Sequence, residues 1–397
     1  MIGAARRGAT GTPPDWEVVV PAGAELGERP VWDAARRCLI WVDILAGELH
    51  EYHPPTAGQA RADKDVRVTA PAATVTRTRS RPDRAASSAS AVTGEAGGTD
   101  GAKVAREAAA GAKVAREAAA GAGPGTGGAR PGTGGAKVAR EAAGGAGPGT
   151  DRVLASVGVP VGAAAPRRGG GYVLAAADGF RLLRADGSAD GPPLRPAGMG
   201  DDVRFNDGAC DPAGRFWAGT ATLDGSPGGG ALYRLEPDGS VTKALGGVTE
   251  SNGLGWSPDQ RAFYYIDSAA ERLTVRKYAY DTLSGKISAE SELIAFGPAD
   301  GVPDGLVVDT DGCLWIAFWD GGCVRRYSPA GELLAIWPTP VSRPTCPGFG
   351  GAGLDQLYLT TAWEGLDQRR RDAEPLAGHL MRAPAGVRGL ALTPYGG

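Results

Sequence analysis

The sequence predicts an all-β fold, a six-bladed β-propeller with a low-complexity insertion between blades 1 and 2. Three observations predict it. A short apolar strand follows a turn marker six times: Asp33 before LIWVDI, Arg167 before YVLAAA, Asp211 before FWAGT, Ser257 before FYYIDS, Asp309 before LWIAFW and Gly350 before LYLTTA. A second strand-like stretch follows each of these (GELHEYH, GFRLL, GALYRL, RLTVRKYAY, GCVRRY, GHLMRAP), with Gly, Pro, Asp and Ser punctuating the pairs as hairpins. The markers from Arg167 onward are spaced by 44, 46, 52 and 41 residues. Six units of several antiparallel strands at such a period are the signature of a propeller.

The elements follow in order. Residues 1–15 read as a flexible tail, and Trp16 with the EVVV run after it has no unit of its own. That strand is expected to complete the last blade and close the ring. The propeller takes residues 16–76 and 151–397, and residues 77–150 form the insertion. The insertion is Ala/Gly-rich and repetitive, with GAKVAREAAA at 101–110 and 111–120 and GAKVAREAAG at 135–144. It lacks aromatic residues and has few large aliphatic ones, so it cannot bury enough apolar surface to offset its ordering entropy. Its eleven basic and six acidic residues leave −8 on the rest of the chain. The expectation is a repeat expanded in a surface connection. Blade 2 is expected to open at Pro160, whose VGAAAP run leads directly into the next hairpin.

Composition excludes several functions. A net charge of −3 gives no reason to expect nucleic acid or an anionic membrane as partner. No apolar run is long enough for a transmembrane helix, and the first residues lack the apolar core of a signal peptide. Cys38, Cys210, Cys313, Cys323 and Cys346 never form a C-x-x-C pair. They read as reduced thiols in a cytoplasmic protein. With three histidines and no G-x-S-x-G elbow, serine or cysteine hydrolase chemistry has few candidates. A monomer is the default expectation for a closed ring.

One set of residues shares a phase. Glu28, Asn206, Asn252 and Asp304 each stand five residues before a turn marker. Equivalent positions in successive blades are related by rotation about the propeller axis, so the four side chains should converge at the mouth of the central channel. Two carboxylates and two amides meeting in a dry site call for a hard divalent cation. Taken singly, Asn206-Asp207-Gly208, Asn252-Gly253 and Asp304-Gly305 are ordinary turn signals, and only the shared phase singles them out. Asp211 and Asp309 read as structural turn residues.

The chain resembles the regucalcin/gluconolactonase family, also called senescence marker protein, which includes luciferin-regenerating enzyme. The resemblance rests on GERPVWD (27–33), LIWVDI (39–44), RFNDGACDPAGRFWAGT (204–220), SNGLGWSPD (251–259), FYYIDS (263–268), PDGLVVDTDGCLW (303–315) and GGCVRRY (321–327). It implies a metal held by Glu28, Asn252 and Asp304, and substrate contacts from Arg204 and Asn206. A further acidic substrate contact would fall on Asp224, where AGTATLDG departs from the family pattern.

Together these imply metal-dependent hydrolysis of a sugar lactone. The cofactor is one divalent ion, Ca²⁺ first, with Zn²⁺, Mg²⁺ and Mn²⁺ also compatible with oxygen ligands. Asp304 is the candidate general base. A non-catalytic calcium-binding or regulatory propeller, a protein-binding scaffold and a lactonase for non-sugar lactones are the alternatives.

Overall fold

The computed structural model describes residues 14–55, 149–269 and 273–397. Six antiparallel sheets form the blades. Blade 1 is β2 (Gly27–Asp33), β3 (Cys38–Asp43), β4 (Glu48–His53) and β5 (Thr150–Ser156). Blade 2 is β6 (Val161–Pro166), β7 (Tyr172–Ala176) and β8 (Gly179–Leu183). Two isolated bridges, Phe180 to Leu194 and Leu183 to Ala189, stand where its fourth strand would lie. Blade 3 runs from β9 (Val203–Cys210) through β10 (Phe216–Thr222) and β11 (Gly230–Leu235) to β12 (Val241–Val248). Blade 4 comprises β13 (Ser251–Trp256), β14 (Ala262–Asp267), β15 (Thr274–Asp281) and β16 (Lys286–Ala295). Blade 5 comprises β17 (Val302–Val308), β18 (Leu314–Trp319), β19 (Cys323–Tyr327) and β20 (Leu333–Pro338). In blade 6, β21 (Pro344–Gly350), β22 (Gln356–Thr361) and β23 (Leu380–Pro384) are completed by β1 (Glu17–Val20) from the other end of the chain. The strand after Trp16 therefore closes the ring as expected, reinforced by an ion pair between Glu17 and Arg382 at 2.6 Å. A short helix, α1 (Gln368–Ala373), interrupts the last blade. No helix among the described residues is long and apolar enough to cross a membrane.

The apolar runs follow from how blades stack. Successive side chains of a strand point to opposite faces, and here both faces are covered. In β3, Ile40 and Val42 pack toward blade 2 while Leu39 and Trp41 pack toward blade 6. In β18, Leu314 and Ile316 face blade 4 and Trp315 and Ala317 face blade 6. Each of the six interfaces between blades has its own apolar core. Uninterrupted apolar second strands are thus the local cost-free solution for a sheet buried on both sides.

The innermost strands β2, β6, β9, β13, β17 and β21 each touch the next, and together they line the channel. Most of the expected insertion, and all of the expected tail up to residue 13, lie outside the described residues. The chain returns at Gly149, and β5 pairs with β4 on the rim of blade 1. The long connection, expected between blades 1 and 2, instead leaves after the third strand of blade 1 and returns as its fourth, because β5 pairs with β4, and residues 157–160 make the step to blade 2.

Candidate metal and lactone site

The ladder of every innermost strand is interrupted at one level. Register shifts leave unpaired Arg29 and Pro30 in β2, Gly162 in β6, Asn206 in β9, Asn252 and Gly253 in β13, Asp304 and Gly305 in β17, and Thr345 and Cys346 in β21. Bulges re-aim side chains and occur at barrel rims and sites. This ring of six tilts its side chains about the axis. Three of the four phase-matched residues are bulge residues and Glu28 immediately precedes one, so Asn-Gly and Asp-Gly here mark strand bulges and not turns.

The glycines have a second role. A Cβ on Gly253 would sit 2.6 Å from Cβ of Leu306, and one on Gly305 2.4 Å from Sγ of Cys346. Only glycine lets adjacent innermost strands approach so closely. That proximity brings the side chains beside them together.

Glu28, Asn206, Asn252 and Asp304 are all buried. Nη1 of Arg204, half-buried near the start of β9, donates to Oδ1 of Asn206 at 2.7 Å. Nδ2 of Asn206 donates to Oδ1 of Asn252 at 3.0 Å and to the carbonyl of Ser251 at 2.9 Å. Nδ2 of Asn252 donates to Oγ of Ser268 at 2.8 Å, and that hydroxyl donates to the carbonyl of Pro303, beside Asp304. One polar chain thus runs through blades 3, 4 and 5. Each amide is oriented by its neighbour, since Arg204 has no acceptor to offer and fixes which end of Asn206 faces it.

Electrostatics single out the carboxylates. Burial pushes Glu28 up to about 8, with the charge of Asp207 adding to the effect. Asp304 is held well above the ordinary range by burial, then by Glu28, Glu250, Asp207 and Glu364. Asp207 is raised by burial against the pull of Arg29. Arg29 follows Glu28 in the left-handed region at φ 46°. Its guanidinium turns down the channel and donates to Asp207 at 3.4 Å and to the carbonyls of Leu306 and Leu254. Like charges crowded in a dry space favour a protonated form or a bound cation. The donor set of two carboxylates and an amide oxygen fits a hard divalent ion.

Asp224 stands apart from this network. It lies exposed in the β10–β11 connection, where its carboxylate accepts from the backbone and hydroxyl of Ser226. The face is the right one, because the next residue back, Leu223, donates its N–H to Asp202 at the start of β9. Asp211 and Asp309 are turn residues, as expected. Each accepts two backbone N–H groups of its own turn and an indole N–H, from Trp217 and Trp315 respectively. Sequence reasoning missed Asp207, Arg29 and Ser268. The only signal for Ser268 was its place at the end of FYYIDS. A separate group, Cys38, Glu51 and His53, brings its ligand atoms within 4.8 Å of one another on β3 and β4. Glu51 is there engaged by Arg152 and by Arg36 at 3.7 Å, two cations that oppose a metal.

Residues 145–363 match the family described as SMP-30/Gluconolactonase/LRE-like region. Regucalcin of Danio rerio is 38% identical over 248 residues, 60% of this chain and 81% of the relative. A protein of Bacillus subtilis (strain 168) named "Putative sugar lactone lactonase YvrE" is 37% identical over 222 residues, 55% of this chain and 75% of the relative. Among solved structures, a calcium-binding protein, regucalcin, from Agrobacterium tumefaciens shares the fold at a TM-score of 0.67 and 23% identity, covering 96% of this chain and 98% of that one. The bulged ring of innermost strands, the closure by β1 and the family match agree, and the chain belongs to the SMP-30/gluconolactonase/LRE-like family.

Proposed function

We propose that the protein hydrolyses a sugar lactone with the help of one divalent metal ion held by Glu28, Asn252 and Asp304. The observation that carries this reading is the burial of Glu28 and Asp304 at one mouth of the channel, Glu28 raised in pKa by burial and the charge of Asp207, and Asp304 by burial and the charge of Glu28. Such a pair is costly without a cation. When bound there, a divalent ion polarises a carbonyl oxygen and acidifies water. Ca²⁺ suits the oxygen donors best, and Zn²⁺, Mg²⁺ and Mn²⁺ are compatible. The lactonase name of the Bacillus relative supports the chemistry.

The chain's own residues then have separable tasks. Asp304 accepts the proton of the attacking water through a carboxylate oxygen. A carboxylate that holds the cation lies within reach of the water the cation acidifies. Water adds to the lactone carbonyl, the ring C–O bond breaks, and the ring oxygen leaves as a hydroxyl, giving the aldonic acid. Arg204 orients the substrate's hydroxyls or ring oxygen by its planar fork, held in place by Asn206. Asn206 reads a further hydroxyl and Asp224, from the adjoining connection, another. The acidic mouth, with Glu250 and Glu364 near Asp304, disfavours retention of a carboxylate product. The five unpaired cysteines support a reducing, cytoplasmic setting.

The test is pH-indicator hydrolysis of a panel of aldonolactones by EDTA-stripped protein, before and after single metals are added back. Turnover of one sugar lactone restored by metal is the expected result. If every lactone stays inert while metal still raises the melting temperature, the regulatory calcium-binding reading replaces this one.

A further inference from the structure

The opposite end of the channel holds a cavity. Its walls are the far ends of β2, β6, β9, β17 and β21, and its volume is about 250 Å³. Val31, Ala165, Leu306 and Phe349 make it apolar, and Leu390 and Leu392 of the C-terminal segment lie across it. That segment is tied down on both sides of the ring. The carbonyl of Arg388 accepts from the backbone of Thr310, while the N–H of Tyr395 donates to Pro166 and that of Gly396 to Gly214. Arg29 lies between the two ends, lining this cavity while it bonds to Asp207, next to the bulge residue of β9.

The charge of the walls is one-sided. Arg29, Arg36, Arg167 and Arg168 line the cavity against a single acid, Asp33. Asp33 is already engaged, accepting from the backbone of Ala35 and Arg36. Arg36 is matched by Glu51, Arg167 by Asp190 and Arg29 by Asp207. Arg168 is exposed at the rim and has no acidic partner among the described residues. An apolar chamber with an unmatched cation at its entrance suits a molecule with an apolar body and one anionic end. An apolar cavity of roughly 150 Å³ holds benzene, so this one has room for about ten non-hydrogen atoms.

We infer that this cavity binds a small amphiphilic carboxylic acid, a medium-chain or single-ring monocarboxylate, with its tail among Val31, Ala165 and Leu306 and its carboxylate at Arg168. The site is separate from the lactone mouth, and its occupancy does not require the metal.

Octanoate and its uncharged isostere octanamide are the probes, titrated calorimetrically into the full-length protein with and without EDTA. Octanoate should bind at least fivefold more tightly than octanamide, and equally well with the metal removed. Arg168→Glu changes an exposed residue outside the lactone site and should leave lactone turnover unchanged. It should weaken octanoate at least fivefold, because it removes one exposed charge pair and sets a like charge in its place, without affecting octanamide. Filling the chamber with Ala165→Leu should weaken both probes. The inference is overturned if octanoate binds no better than octanamide, if Arg168→Glu leaves its affinity unchanged, or if EDTA abolishes binding, which would place the acid at the metal end.

Discussion

Nδ2 of Asn206 donates to Oδ1 of Asn252 across 3.0 Å, joining the innermost strand of blade 3 to that of blade 4. Arg204 holds the other end of the Asn206 amide, so the oxygen of Asn252 has a fixed direction. Groups that orient a ligand side chain typically change metal affinity 10–100-fold when removed. Asn206→Leu keeps the branched side-chain shape and removes all three of its hydrogen bonds. Metal affinity measured by calorimetry should fall by about that factor, and unchanged affinity would mean that Asn206 acts on substrate alone.

The metal-free protein should lose stability as pH rises. The folded-state pKa of Glu28 is lifted from 4.5 to about 8 by burial and by Asp207. Between those values the unfolded chain has released a proton that the folded chain keeps. Stability therefore falls with rising pH across that window. Asp304 is raised in the same direction and adds to the fall. Thermal melts of EDTA-treated protein from pH 5 to 8 should show a loss of several kcal/mol, and a saturating divalent cation should flatten the curve. Asp304→Asn removes one of the charges, so it should flatten the metal-free curve while abolishing turnover. A metal-free protein equally stable at both ends would show that the acids do not crowd each other.

Arg29 and Asp207 form a buried pair directly beneath these acids, with side chains 9% and 1% exposed. Removing one member of such a pair costs about 3–5 kcal/mol because the other charge is left unmatched. Arg29→Met should be destabilising by that order in chemical denaturation. The double variant with Asp207→Asn should recover much of the loss. Equal instability of single and double variants would indicate that Arg29 acts through packing instead.

The parts of the molecule legible in sequence are those with a period. LIWVDI, FYYIDS and LWIAFW announce strands covered on both faces, and the spacing of their turns gives the blade count. Glu28, Asn206, Asn252 and Asp304 were legible because rotation about an axis maps equal phase onto a common point. Arg29 and Asp207 were not. Alternation in a regular strand sends neighbours of an inward residue outward, and only the bulge at Arg29 and Pro30 turns that guanidinium into the channel. Ser268 follows the second strand of its blade and reaches Asn252 across one ladder, a pairing without a sequence period. The rim position of the insertion depended on β5, whose TDRVLAS run carries little apolar pattern because it is the half-exposed outer edge.

That rim position leads to a last expectation, for removal of the Ala/Gly-rich segment. Asp151 accepts from the indole of Trp41 at 3.1 Å and meets His50 at 3.0 Å, and Arg152 bonds to Glu51. The strand after the insertion is thus anchored by its own contacts. It lies three strands out from β2, about 14 Å from the channel wall at the usual strand spacing. Deleting 77–148 leaves residues 56–76 to join β4 to β5 and displaces no residue of the bulged ring. The composition predicts no packed core for the deleted part. For a flexible connection, each halving of length saves about 0.6 kcal/mol of closure entropy, so roughly fourfold shortening should stabilise the blade by about 1 kcal/mol. Lactone turnover should stay within about twofold of the full chain, and the melting temperature should rise slightly. A large loss of either would show that the segment binds back onto the propeller or supplies part of the site.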